Sequence, residues 1–185
     1  MYVNNQFNKS ILLSLLLFPL TNIVLSVFNN GEAGLDCSWI FILKLITINC
    51  VVALAEELFF RGLLLREMVF GFEIRPMIAS VVVSIAFGVM HLLNVNSYAT
   101  WNYALVQSIC AFAVSINLSA IFIKSKSLFW CVAVHSLINM TSVGLKINNE
   151  RFVLGNIEYV IFLLVSFIYL IYGVKMLNDE VMEER

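Results

Sequence analysis

The sequence predicts an all-α protein, a polytopic transmembrane helical bundle of about six spans. Three observations lead there. Of the 185 residues 61% are hydrophobic and only 12% charged, with 15 Phe against 2 Pro. The mean hydropathy is +0.93, well outside soluble composition, and a soluble fold would expose too much apolar surface to stay dissolved. The apolar residues also gather in runs of about 20, and lipid, which cannot satisfy backbone polar groups, makes each such run a helix.

The first span runs from Ser10 to Phe28. Lys9 ahead of it imitates a signal peptide, but no A-x-A-like cleavage site follows, so it reads as a retained span. The second, Trp39 to Phe70, is the longest, and its length suggests tilt. The third covers Pro76 to Leu93, the fourth Tyr98 to Ile123, the fifth Ser127 to Val143 and the sixth Ile157 to Met176. The segments between are short, so residues 1–185 form one integral membrane domain; the charged tail Asn178 to Arg185 reads as frayed. No repeat or flexible linker is visible, and no small-x-x-x-small run dominates a span.

Charge narrows the function. With 11 Lys plus Arg against 12 Asp plus Glu, there is no basic footprint for nucleic acid and no long solvating segment. Lys9, Arg66, Arg75, Lys124, Lys126, Lys175 and Arg185 fall on one side of a six-span topology, Lys146 and Arg151 on the other, which makes both termini cytoplasmic. Cys37, Cys50, Cys110 and Cys131 are too scattered for a disulfide framework or a CxxC pair and read as small core residues.

The informative residues are those that do not belong in lipid. Glu56, Glu57 and Arg61 lie inside the second apolar run. Glu57 and Arg61 stand i,i+4, the spacing at which a carboxylate meets a guanidinium on a helix, whereas Glu56 has no obvious local partner. The only two histidines, His91 and His135, sit in separate apolar runs, and Asn139 follows His135 by one turn. At roughly 1.5 Å per residue Glu56, His91 and Asn139 lie about 21 to 22 Å from the Lys-rich ends of their helices and His135 about 16 Å, so all four are able to share one layer.

A carboxylate beside an imidazole in a wet pocket takes a proton from water and returns it to a leaving amine, the requirement of peptide hydrolysis. Glu56 and His91 fit those roles, and His135 with Asn139 fit the hydrogen-bond donors of an oxyanion hole. No G-x-S-x-G or H-E-x-x-H is present, and the only aspartates, Asp36 and Asp179, lie outside the spans. Two His with one or two Glu leave a divalent metal such as zinc open, although no cofactor is needed for the carboxylate route.

Glu-Glu-x-x-x-Arg, then Phe-x-x-x-His, then His-x-x-x-Asn, on successive apolar helices from Glu56 to Asn139, resembles the CPBP family of intramembrane proteases: the type II CAAX prenyl proteases and the Abi, or bacteriocin-processing, enzymes. The resemblance centres on a motif core at 50–143. It implies a membrane-embedded endopeptidase, of glutamate type or metal-dependent. Glu56 and His91 are then the water-activating pair, His135 and Asn139 the oxyanion donors, and Glu57 with Arg61 the partners that shape the site. It implies as substrate a peptide or lipidated protein met within membrane lipid. The short chain fits a small relative in a bacterial plasma membrane. Three alternatives remain: a bacteriocin self-immunity protein, a membrane scaffold for a sensor kinase and, ranked last, a proton-relay transporter lacking the usual repeats.

Overall fold

Helices account for nearly all of what the structure, a computed structural model, describes: residues 14, 16–25, 38–96, 100–143 and 156–183. Lys9, Ser10, Cys37, Tyr98, Lys146, Arg151 and Arg185 lie outside the described residues. In chain order the elements are α1 (Leu16–Leu25), α2 (Trp39–Glu57), α3 (Pro76–Met90), α4 (Trp101–Ser125), α5 (Leu128–Val143) and α6 (Asn156–Glu183). No strand occurs among the described residues. Pro76–Val95, Trp101–Ser125 and Asn156–Asn178 are each long and apolar enough to cross a membrane, while Leu16–Leu25 and Leu128–Ser142 are shorter apolar helices. The protein is an integral membrane helical bundle.

Local chemistry sets the helix ends. Pro76 occupies the first turn of α3, where its missing N–H has no partner to lose, and Arg75 before it is extended. Thr100 caps α4 by accepting a hydrogen bond from the Tyr103 N–H at 3.3 Å. At the other end Lys126 turns left-handed, with φ 51°, and donates its N–H to the Phe122 carbonyl at 2.7 Å. Two helices depart from the sequence expectation. The third ends its α-helical winding at Met90 and continues as a 3-10 turn, His91–Asn96. The sixth continues through Glu183 where a frayed tail is expected, because the stretch beyond buried Met176 and Leu177 holds no Gly or Pro to stop a helix already nucleated.

The second span changes winding where its charges sit. After Glu57 the helix continues as π-helical turns over Leu58–Leu65 and Glu67–Gly71. Ala53, Glu57, Arg61 and Leu65 are all fully buried, a strict four-residue repeat. Four residues overshoot an α turn of about 3.6 and undershoot the wider i→i+5 turn. A helix that passes from one winding to the other therefore holds that stripe on one face.

α4 is the central helix: every residue from Ala113 to Ile123 is buried. It packs on α3 and α6, while α2 packs along α5. Against the sequence expectation, α3 does carry a small-residue ladder: Ser80, Ser84 and Gly88, all buried, let its backbone approach α4, and Ser108 Oγ donates to the Gly88 carbonyl at 2.8 Å. α1 and Ser14 ahead of it are joined to the bundle by polar contacts. Ser14 Oγ donates to Asn117 Oδ1 at 2.7 Å and Tyr169 OH donates to the Ser14 carbonyl. Asn22 Nδ2 donates to the Ile138 carbonyl and Thr141 Oγ1 at 3.2 and 3.1 Å. Large apolar side chains such as Ile48, Ile85 and Phe167 point outward, as a lipid-facing surface requires.

α6 approaches α4 closely at Gly173. A Cβ on Gly173 would stand 2.9 Å from the Asn117 backbone nitrogen, whereas one on Gly62 would meet only the end of the Leu128 side chain at 3.2 Å. Gly173→Ala is expected to destabilise the bundle by about 1–3 kcal/mol and Gly62→Ala by much less. Thermal unfolding of both variants in detergent checks the difference.

Candidate active site

Burying a carboxylate in a membrane bundle demands partners, and Glu57 has two. Arg61 Nη1 donates to Glu57 Oε1 at 2.8 Å, the i,i+4 pair expected from spacing, and both side chains are fully buried. The same oxygen accepts from His135 Nδ1 at 2.8 Å. The second arm of Arg61 is held by α4: Nη2 donates to Ser115 Oγ at 2.7 Å and to the Ser115 carbonyl at 3.2 Å. Among the described residues Glu57 Oε2 and Arg61 Nε have no partner, so these bonds carry the pair.

Because Glu57 is an acceptor, its bond fixes the proton of His135 on Nδ1 and leaves Nε2 as the free ring nitrogen. Nε2 lies 3.4 Å from Glu56 Oε2. Glu56, one residue from Glu57 on the helix, points elsewhere, and its side chain is 35% exposed against 0% for its neighbour. The imidazole in contact with Glu56 is thus His135, where the sequence pairs Glu56 with His91. Packing explains it: α2 runs along α5, while α3 meets only the π-helical continuation of α2.

His91 opens the 3-10 turn at the end of α3, and its Nδ1 donates to the Phe87 carbonyl at 2.8 Å. That bond likewise fixes the tautomer and leaves Nε2 available. Phe87 is the hub of the cluster. Its ring lies 4.8 Å from that of His91, 5.7 Å from that of His135 and 5.0 Å from that of Phe60, and the Arg61 guanidinium stands 5.0 Å from its centroid.

His91, His135 and Asn139 line one cavity of about 130 Å³ together with Phe18 and Asn22 of α1 and Phe162 of α6. One water needs roughly 10–15 Å³ of such volume, so several fit. Asn139 faces this space one turn beyond His135, and Glu56 lies beside His135 Nε2 rather than in the cavity wall. The structure therefore brings together Glu56, Glu57, Arg61 and His135 by direct contact, and His91, His135 and Asn139 around one space. Sequence reasoning missed Ser115, which had only its polarity within an apolar helix to mark it. It also left Phe87 without a role, although its place four residues before His91 was a signal.

Among the described residues no three His, Cys, Asp or Glu side chains are placed to hold an ion. Glu57 Oε1 is shared by two donors, and the Nδ1 atoms of both histidines are committed. What is left as donors is Glu56 and the Nε2 atoms of His91 and His135, each ring held at Nδ1 in the way that orients a metal-bound imidazole.

Removing one member of a buried ion pair leaves an uncompensated charge at a cost of about 3–5 kcal/mol, whereas removing both costs less. Arg61→Met is expected to lower stability by that amount, and Glu57→Leu with Arg61→Met to recover much of it. Ser115→Ala, which deletes one hydrogen bond to a charged group, should cost about 1.5–3 kcal/mol. The fraction of monodisperse protein surviving a heating series reads all three.

The profile of the family described as "Type II CAAX prenyl endopeptidase Rce1-like" matches residues 37–141. That is more than half of the chain, and it takes in Glu56 through Asn139. No curated protein matches the chain.

Proposed function

The chain belongs to the type II CAAX prenyl endopeptidase Rce1-like family, a family of proteases acting on peptide or prenylated-protein substrates, and on that premise we propose that it hydrolyses a peptide bond with water activated by Glu56 and His91. The observation that carries this reading is a chain of contacts: Glu57 orients His135, His135 Nε2 meets the half-exposed Glu56, and His135 shares with the tautomer-fixed His91 and with Asn139 one cavity that has room for several waters.

In this reading a water held between Glu56 and His91 gives up a proton as its oxygen attacks the scissile carbonyl carbon. The negative charge that develops on the carbonyl oxygen is met by His135 and the Asn139 carboxamide. Since Nδ1–H of His135 is committed to Glu57, donation from Nε2 is a property of the imidazolium form, which Glu56 and Glu57 flank. When the carbonyl re-forms, the C–N bond breaks and the departing amine takes up the proton that water surrendered. Glu57 and Arg61 act through His135: they hold its ring and touch no reacting atom. No step in this reading uses a metal. The Lys-rich ends of the spans, with Arg66, Arg75, Lys124 and Lys126, would face the cytoplasm.

Activity on a peptide library, with purified full-length protein in liposomes, tests the proposal. Glu56→Gln and His91→Ala are expected to lower cleavage by at least about 10²-fold, the usual contribution of a positioned acid or base, at unchanged protein yield and with full activity of the parent in chelator. Cleavage that survives both substitutions would end the proposal. A cellular phenotype that is lost when the protein is deleted but kept by Glu56→Gln would point to a non-catalytic role.

A further inference from the structure

A second cavity, of about 620 Å³, lies on the lipid-facing side of the bundle, between the π-helical end of the second span and the turn joining α4 to α5. Its wall changes character along its length. Leu58, Leu63 and Leu128 line it together with Gly62, while Arg66 and Lys126 stand at one end beside Phe70. From Leu58 to Arg66 the helix advances by at most about 12 Å at 1.5 Å per residue. The groove thus runs from the end of the spans well into the hydrocarbon region. Lys126 follows directly on the membrane-crossing stretch Trp101–Ser125, at the depth where a lipid headgroup begins.

The two cations come from different elements and converge. Lys126 is turned to this side by its left-handed backbone, and its Nζ lies 5.9 Å from the centre of the Phe70 ring. Both basic side chains are exposed, and none of the residues lining the groove is acidic. Positive charge at the headgroup level and an apolar trough leading inward complement one molecule with phosphate at one end and acyl chain at the other. A free phosphate would leave the trough unused, and a neutral lipid would leave the cations unused. We infer that this groove binds an anionic phospholipid of the surrounding leaflet, its phosphate between Arg66 and Lys126 and the first part of an acyl chain along Leu63 and Leu58. The site is separate from the His91–His135 cavity, and the inference does not rest on the proposed catalysis.

Native mass spectrometry of the delipidated full-length protein in detergent, titrated with phosphatidylglycerol or phosphatidylcholine of identical chains, reads occupancy directly. The parent should retain phosphatidylglycerol roughly tenfold more tightly, the scale of discrimination that two interfacial cations give. Arg66→Gln with Lys126→Asn should erase that preference, and Arg66→Lys should keep it. Both positions are exposed and Asn tolerates the left-handed backbone of residue 126, so folding is expected to survive. Equal retention of the two lipids, a preference unchanged in the double variant, or displacement of the lipid by millimolar glycerol phosphate alone would overturn the assignment.

Discussion

A carboxylate fully enclosed by protein in a membrane bundle is tolerable only if its charge is answered on the spot, and Glu57 Oε1 is answered twice, by Arg61 and by His135. Much of the rest follows from that constraint. Arg61 must itself be held, and α4, the most enclosed helix, supplies both atoms of Ser115 to do so. His135 must present Nδ1 to Glu57, which aims its other nitrogen at Glu56. The ring of Phe87 then fills the space that the guanidinium and the two imidazoles surround. One charge thereby ties α2, α3, α4 and α5 to a common point.

The winding of the second span belongs to the same problem. A regular α-helix would rotate Leu65 well away from the face that buries Ala53, because four-residue steps drift around a turn of about 3.6. The i→i+5 turns that begin at Leu58 take up the drift. They also start directly after the two glutamates, a position in keeping with the association of π-type insertions with functional sites. The sequence does hold the trace of this in the spacing 53, 57, 61, 65, but a hydrophobicity reading sees only a long apolar run.

What could be read from the residues was whatever composition or local spacing determines. The all-helical membrane fold follows from composition, and the Glu57–Arg61 contact from its i,i+4 spacing. The gathering of His91, His135 and Asn139 around one cavity is an arrangement that helix rise and a consistent set of ends allowed. Lateral neighbours were another matter. Which imidazole touches Glu56 depends on α2 lying along α5, and linear spacing holds no information on that. Ser115 was invisible for the same reason, since a serine inside an apolar helix looks alike whether it grips a guanidinium or fills a gap. The ladder of Ser80, Ser84 and Gly88 was equally hard to read, because small residues four apart look alike in a sequence whether they face another helix or lipid.

Consecutive identical residues usually invite identical treatment, yet the direction of a helix turn assigns Glu56 and Glu57 to different worlds. One is walled in beside an arginine and belongs to the architecture; the other borders accessible space and is free to exchange partners. Damage at the two codons should therefore surface as different phenotypes, missing protein from the inner glutamate and abundant but inert protein from the outer one under the proposed chemistry. Measuring abundance alongside function would separate the two halves of the dipeptide.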